Sequence, residues 1–194
     1  MREGRVMRKT RETDITAAIN LDGAGAVDLK SGIGFFDHML ELFAKHGLFD
    51  VDVLCDGDLS VDGHHSVEDI GIALGQAFAQ AVGDKRGIAR YGTASVPMDE
   101  ALAIVTLDIS ARPLLVLQME PLSGMVGAFD AQLLEEFLRA FATHAALTLH
   151  VQVPYGHNTH HIIEAVFKAL GRALRQAVTI DPRVQGVPSS KGVL

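Results

Sequence analysis

Two stretches of the chain carry apolar residues at helical spacing. In "FFDHMLELFAKHG", residues 35–47, Phe36, Met39, Leu40 and Phe43 recur three and four apart, and in "LLEEFLRAFATHA", residues 133–145, Leu134, Phe137, Leu138 and Phe141 do the same. That period puts them on one face of a helix. Each stretch is followed by an alternating run, "LFDVDVLC" at 48–55 and "LTLHVQV" at 147–153, and a period of two predicts a half-buried strand. Ahead of the helices lie two strand pairs, "TDITAAINL" with "AVDL" across the turn "DGAG", and "ALAIVTLDI" with "LLVLQME" across "SARP". A further amphipathic helix closes each series, within "GHHSVEDIGIALGQAFAQAV" at 63–82 and "HHIIEAVFKALGRALRQAV" at 160–178. The pattern therefore reads β-β-α-β-α twice.

The last two helices overlay without a gap at an offset of 96, and 10 of the 19 positions from 64 to 82 are identical: the His pair, the Glu, then Ala, Leu, Gly, Ala, Gln, Ala and Val. Chance does not give that, so the chain is an internal duplication. The boundary falls near "RYGTAS" at 90–95 with no low-complexity linker. The expected organisation is one α+β domain with sheets packed against helices, built from a first half at 1–92, a second at 93–182 and a tail at 183–194.

Composition narrows the classes. With 48% hydrophobic and 21% charged residues the chain has the balance of a soluble globular protein. Its apolar runs are too short to span a bilayer. The basic N-terminus "MREGRVMRKTRET" lacks the apolar core of a secretory signal, so a cytoplasmic location is expected. A net charge of -7 argues against general attraction to nucleic acid or anionic membrane, so an anionic ligand would need a local cluster of donors. The one cysteine, Cys55, has no partner for an internal disulfide and reads as a small buried hydrophobe in a strand.

Five of the nine histidines, His64, His65, His157, His160 and His161, fall in two tight groups. On a helix, residues four apart lie above one another and neighbours are turned by about 100°. His64 and Glu68 therefore share a face while His65 points elsewhere, and His160, Glu164 and His161 repeat the arrangement. If a pseudo-twofold axis relates the halves, one ion would take His64, Glu68 and His161, and another His160, Glu164 and His65. Aligning the preceding helices sets His38 opposite Glu136, the two candidates for a fourth ligand. Imidazole and carboxylate donors without thiolate suit Mn, Fe or Zn, with octahedral Mn favoured by the carboxylates. His46 and His144 end the two aligned helices, where an imidazole suits the negative pole of the dipole. His150 and His157 read as surface residues.

The stretches "RETDITAAINLDG", "GIGFFDHMLELFAKHG", "DGHHSVEDIGIALG", "RYG", "NTHHIIEAVFKALGRAL" and "PSSKGVL" together resemble the imidazoleglycerol-phosphate dehydratase family over essentially the whole chain. There is no room for the phosphatase domain fused to this enzyme in some bacteria, so the likeness is to the monofunctional form. The resemblance implies a ribosomal S5 domain 2-like fold and dehydration of D-erythro-imidazoleglycerol phosphate to imidazoleacetol phosphate in histidine biosynthesis, with two Mn2+ per subunit. It implies that His38, His65, His160 and Glu164 hold one ion, and that His64, Glu68, His161 and position 136 hold the other. Position 136 is often His in the family and is Glu136 here, which still ligates but changes the charge of the site. The resemblance further implies a phosphate grip from Arg90, Arg112, Ser189, Ser190 and Lys191, an acid/base role for Glu12 beside the reacting carbons, and a 24-subunit shell with sites completed between subunits.

The reaction needs such a site. The proton to be removed lies on a carbon with no carbonyl beside it, so the imidazole must serve as the electron sink. Metals facing both ring nitrogens stabilise imidazolate, which can expel the hydroxyl on the ring-bearing carbon through a diazafulvene-like intermediate; loss of the neighbouring proton then yields an enol and finally the ketone. Three rivals are weaker. A two-metal phosphate-ester hydrolase would use the same donors to activate water, a di-metal carboxylate oxidase needs Glu-x-x-His motifs on a helix bundle, and a metal-storage shell has little use for "PSSKG" or Arg112.

Overall fold

The structure, a computed structural model, describes residues 2–192; the first residue and the last two of the predicted tail lie outside it. In chain order the elements are β1 (Glu3–Lys9), β2 (Thr13–Asn20), β3 (Val27–Lys30), α1 (Gly34–Gly47), β4 (Asp50–Gly57), α2 (His64–Val82), β5 (Tyr91–Met98), β6 (Ala101–Asp108), β7 (Leu114–Gln118), β8 (Met125–Val126), β9 (Phe129–Asp130), α3 (Leu133–His144), β10 (Thr148–Tyr155) and α4 (Thr159–Val178). The β-β-α-β-α series appears in both halves, as β2-β3-α1-β4-α2 and β6-β7-α3-β10-α4. Each is preceded by a strand that the pattern did not predict, β1 or β5, and the second half adds the small β8–β9 hairpin.

Both main sheets have the same topology, β1-β2-β4-β3 and β5-β6-β10-β7. The strands read as pairs across "DGAG" and "SARP" are therefore not neighbours. β3 lies parallel to β4, with Val27 opposite Val51, and β7 lies parallel to β10, with Leu114 opposite Thr148. A parallel neighbour needs a crossover, and α1 and α3 supply it. β2 instead forms a hairpin with β1, and β6 with β5.

The helices lie on the inner faces of the two sheets, α2 against β1 and β2, α4 against β5 and β6, and the halves meet crosswise as α1 on α4 and α2 on α3. At the centre Phe137 stacks on Phe167 with centroids 5.1 Å apart and meets Phe36 edge-on at 5.3 Å, so α1, α3 and α4 share one aromatic cluster. All three rings are fully buried, and each contributes roughly 1.5–3 kcal/mol from burial alone. Two glycines let the helix pairs close. A methyl at Gly75 of α2 would stand 2.8 Å from the Phe141 carbonyl oxygen of α3, and one at Gly171 of α4 would meet the Phe43 carbonyl oxygen of α1 more tightly still. The pair contacts are thus duplicates of one another, and they place the starts of α2 and α4 beside the starts of α3 and α1.

Candidate metal centre

α4 begins at a well-capped turn. The Asn158 side chain accepts the backbone N–H groups of His160 at 2.9 Å and His161 at 3.4 Å, which supplies two of the donors a helix start leaves unpaired. One turn on, Glu164 is 7% exposed and lies below His160, with His160 Nε2 3.2 Å from Glu164 Oε2. α1, packed on α4, brings His38 Nε2 to 3.8 Å from the same oxygen. Among the described residues, His38, His160 and Glu164 are the one group of three His, Cys, Asp or Glu whose ligand atoms all lie within 4.8 Å of one another. The ring of Phe35 meets His160 edge-on at 5.0 Å and walls one side.

The other carboxylate oxygen of Glu164 meets the Lys168 ammonium at 2.5 Å. Burial opposes ionisation of Glu164, but the bond and charge of Lys168, aided by His160, outweigh it and hold the carboxyl below its ordinary value. The result is an ionised, oriented carboxylate facing two imidazoles, a donor set suited to a divalent cation. Lys168 was not singled out by sequence reasoning. Its one signal is position, four residues after a candidate ligand on the same helix face.

The second pairing is looser. At the start of α2, His64 Nε2 is 3.5 Å from Glu68 Oε2. Asp62 accepts the His64 backbone N–H at 2.8 Å. His64 and Glu136, the latter from the first turn of α3, line a cavity of about 420 Å³ together with Asp62, Ile33 and Leu133. α2 on α3 thus repeats α1 on α4, with Glu136 in the place of His38.

His65 and His161 join neither group within the chain. His65 turns to the β4–α2 loop, where its Nδ1 lies 2.9 Å from Asp58, while its Nε2 is 3.9 Å from Glu12. His161 turns to the β5–β6 turn, with Nδ1 2.7 Å from Glu100 and Nε2 3.8 Å from Asp99. The hydrogen bond to Asp58 raises the His65 pKa and that to Glu100 raises the His161 pKa, while His161 and the backbone N–H of Asn158 hold Glu100 down to about 2. A single chain therefore does not assemble the groupings expected from a pseudo-twofold axis alone, which set His161 with His64 and Glu68, and His65 with His160 and Glu164.

The candidate anion residues lie at the other end of β5 and β6. Arg90 holds Asp108 through Nε at 2.6 Å and Nη2 at 3.0 Å, and its Nη1 donates to the Pro188 carbonyl at 2.8 Å. Arg112 Nη2 stands 3.7 Å from Asp108, with most of its side chain in solvent. Both arginines thus gather on Asp108, and Arg90 ties down the tail. There the Lys191 N–H donates to Ser189 Oγ at 3.2 Å, and Ser190 and Lys191 are exposed. Glu12 sits in the β1–β2 turn, its carboxylate half in solvent and without a hydrogen bond among the described residues.

Two structural histidines behave differently from the helix-dipole reading. Burial, with Lys168 and Arg172 near His46 and Arg8 near His144, holds both imidazoles below their ordinary value. Both stand in the last turns of α1 and α3, where the neutral form is favoured. Cys55 is half-buried in β4, where burial raises its thiol pKa, so it is not an activated nucleophile.

A family model described as imidazoleglycerol-phosphate dehydratase matches residues 31–174. A protein of that name from Thermoanaerobacter pseudethanolicus is 59% identical over 194 residues, covering 100% of both chains, and one from Clostridium botulinum strain Langeland is 60% identical over 98% of this chain and 97% of its own. Among solved structures, imidazoleglycerol-phosphate dehydratase from Staphylococcus aureus superposes with a TM-score of 0.83 at 40% identity, covering 92% of this chain and 99% of that one. The enzyme from Pyrococcus furiosus, solved in complex with (S)-C348, superposes with a TM-score of 0.83 at 38% identity, covering 97% and 100%.

Proposed function

The chain belongs to the imidazoleglycerol-phosphate dehydratase family, and we propose that it is a hydro-lyase converting D-erythro-imidazoleglycerol phosphate to imidazoleacetol phosphate in histidine biosynthesis. The reading rests on one observation above the others: His38 from one half and His160 with Glu164 from the other converge within 4.8 Å, where the donor set fits a divalent cation. His38, His65, His160 and Glu164 would hold one Mn2+, and His64, Glu68, Glu136 and His161 the other. Ions held there would supply Lewis-acid stabilisation of the substrate's imidazole ring as imidazolate, which would let the ring serve as the electron sink when the hydroxyl leaves.

The chain's own groups do the rest. Arg90 and Arg112, with Ser189, Ser190 and Lys191 of the tail, hold the phosphate through guanidinium, hydroxyl, backbone N–H and ammonium donors. Asp108 keeps the Arg90 guanidinium in one orientation. Glu12 takes the proton from the carbon beside the leaving hydroxyl and returns one to the enol, a role suited to a carboxylate that is not tied up by other donors.

The placement of His65 and His161 outside both groups supports sites completed by a second copy of the chain, and we take the assembly to be a shell of 24 subunits. Met7 and Leu54, which face each other across Thr16 on the outer face of the first sheet, are 79% and 56% exposed and offer apolar surface for such contacts. No helix among the described residues is long and apolar enough to cross a membrane; a cytoplasmic location belongs to the same proposal, as does a small-molecule substrate without nucleic-acid partners. Incubation with imidazoleglycerol phosphate and Mn(II) tests the activity. Formation of the ketone without release of inorganic phosphate supports the dehydratase, whereas phosphate release without ketone would transfer the chain to the two-metal hydrolases.

A further inference from the structure

His65 and His161 are each the second histidine of their pair, and each presents the same wiring. A carboxylate engages Nδ1, at 2.9 Å from Asp58 and 2.7 Å from Glu100, while the nearest acid to Nε2 is 3.9 Å away for His65 and 3.8 Å for His161. A neutral imidazole has one N–H and one lone pair, and a carboxylate only accepts. The contact therefore selects the tautomer with the proton on Nδ1 and leaves the lone pair on Nε2, the arrangement in which an outer carboxylate prepares a metal-binding histidine.

The two carboxylates come from non-equivalent places. Gly4 of β1 and Gly92 of β5 sit over the carbonyls of Ala77 and Ala173, which are the same position of the repeat, and they pair with Ile19 and Leu107. Counted in that register, Glu12 is the residue before β2 as Glu100 is the residue before β6. Glu12 is thus the positional counterpart of Glu100. Asp58 is the residue after β4, and its counterpart after β10 is Gly156, which has no side chain. In the second half the turn glutamate orients the histidine; in the first, an aspartate from a different loop does so.

We propose that Glu100 and Asp58 are positioning residues that fix the tautomer and direction of His161 and His65 for metal binding, and that Asp58 thereby frees Glu12 from the role Glu100 keeps. The inference rests on the reading of His65 and His161 as metal ligands. Glu100 also accepts the backbone N–H groups of His157 at 3.2 Å and Asn158 at 2.8 Å. Because Asn158 caps α4, one carboxylate sets both the start of the helix and the ring beside it. After the duplication one half kept the turn carboxylate for orientation, and the other released it to reach substrate.

The test measures Mn(II) affinity of chelator-treated full-length protein by competition with a chromophoric chelator, alongside thermal unfolding of the metal-free form. Glu100→Gln keeps an oxygen for the His157 and Asn158 amides but turns an NH2 toward His161, which favours the opposite tautomer. Asp58→Asn does the same to His65 from another element, so a folding defect in one variant leaves the other informative. Each is expected to lose Mn(II) affinity by about 10–100-fold with little change in metal-free stability, whereas Glu12→Gln retains wild-type affinity. Wild-type affinity in both Glu100→Gln and Asp58→Asn, with weakened binding in His161→Ala and His65→Ala, would overturn the positioning role and leave the metal site standing. Wild-type affinity in the two alanine variants as well would remove the ligand assignment, and the inference with it.

Discussion

Alanine at Gly171 tests whether helix packing sets the metal geometry. Its methyl would press on the Phe43 carbonyl oxygen and stand 3.1 Å from the Gly47 nitrogen and 3.2 Å from the Phe43 carbonyl carbon. Those atoms are backbone and cannot rotate aside, so α1 must move off α4 by about 0.5–1 Å to restore ordinary contact distances. The exchange gains roughly 1 kcal/mol of helix propensity and, because the crowded atoms are backbone, costs about 2–3 kcal/mol, the upper part of the usual overpacking range, leaving a net loss of about 1–2 kcal/mol. For a chain of this size that is a fall of roughly 2–8 °C in the unfolding midpoint. The same movement carries His38 on α1 away from His160 and Glu164 on α4. Metal–ligand distances tolerate only about ±0.2 Å, so the displacement exceeds what the first site accommodates, and Mn(II) affinity should drop about 10-fold or more. Gly34 opens the same helix with nothing within 4 Å of a methyl built there, so Gly34→Ala is the control and should change neither quantity. A Gly171→Ala protein as stable as wild type, with unchanged Mn(II) affinity, would refute the claim that this contact sets the site.

Three further outcomes follow. Glu164→Gln keeps the shape but not the charge beneath His38 and His160 and leaves the Lys168 ammonium without its counter-charge; metal titration should show loss of one of the two ions, with turnover down by at least about 100-fold. Arg90→Lys cannot reproduce the fork on Asp108 or the bond to Pro188, so KM for the phosphate substrate should rise about 10-fold with a smaller change in kcat, as loss of uniform binding requires. The depressed pKa values of His46 and His144 mean that the unfolded chain binds protons before the folded one does; their contribution is complete above the ordinary value of 6.5 and is lost as pH falls through the folded values. Replacing both with Gln should therefore flatten the fall in unfolding midpoint of the metal-free protein as pH drops below the ordinary histidine value of 6.5, and an unchanged slope would show that other groups carry it.

Much of this architecture was legible because helices announce themselves by period and because the chain repeats itself. Phe36, Met39, Leu40 and Phe43 are all buried on α1, as their spacing requires, and the duplicated His-His-x-x-Glu marked both helix starts. β1 was not legible. Only Gly4 of its seven residues is buried and three carry positive charge, since it is an edge strand with little apolar face to display. β5, the edge of the other sheet, reads "YGTASVPM", where Gly, Ala, Ser and Pro obscure any alternation. The separation of β2 from β3 by β4 is a property of the crossover through α1, which no local pattern carries. At the site, the same-helix pairs His64–Glu68 and His160–Glu164 were readable from their spacing, whereas the approach of His38 to Glu164 depends on the crosswise packing of α1 on α4, which no local pattern carries. Asp58 and Glu100 belong to no motif, and the signal for Glu100, its place before β6 matching that of Glu12 before β2, emerges only once both edge strands are counted.

The most direct test of the central claim is a Mn(II) titration of chelator-treated protein in which bound metal per subunit and the rate of ketone formation from imidazoleglycerol phosphate are followed together. Two ions per subunit, with turnover absent in the metal-free protein and complete only when the second ion is bound, is the predicted result. Full turnover by protein that retains no metal would contradict it.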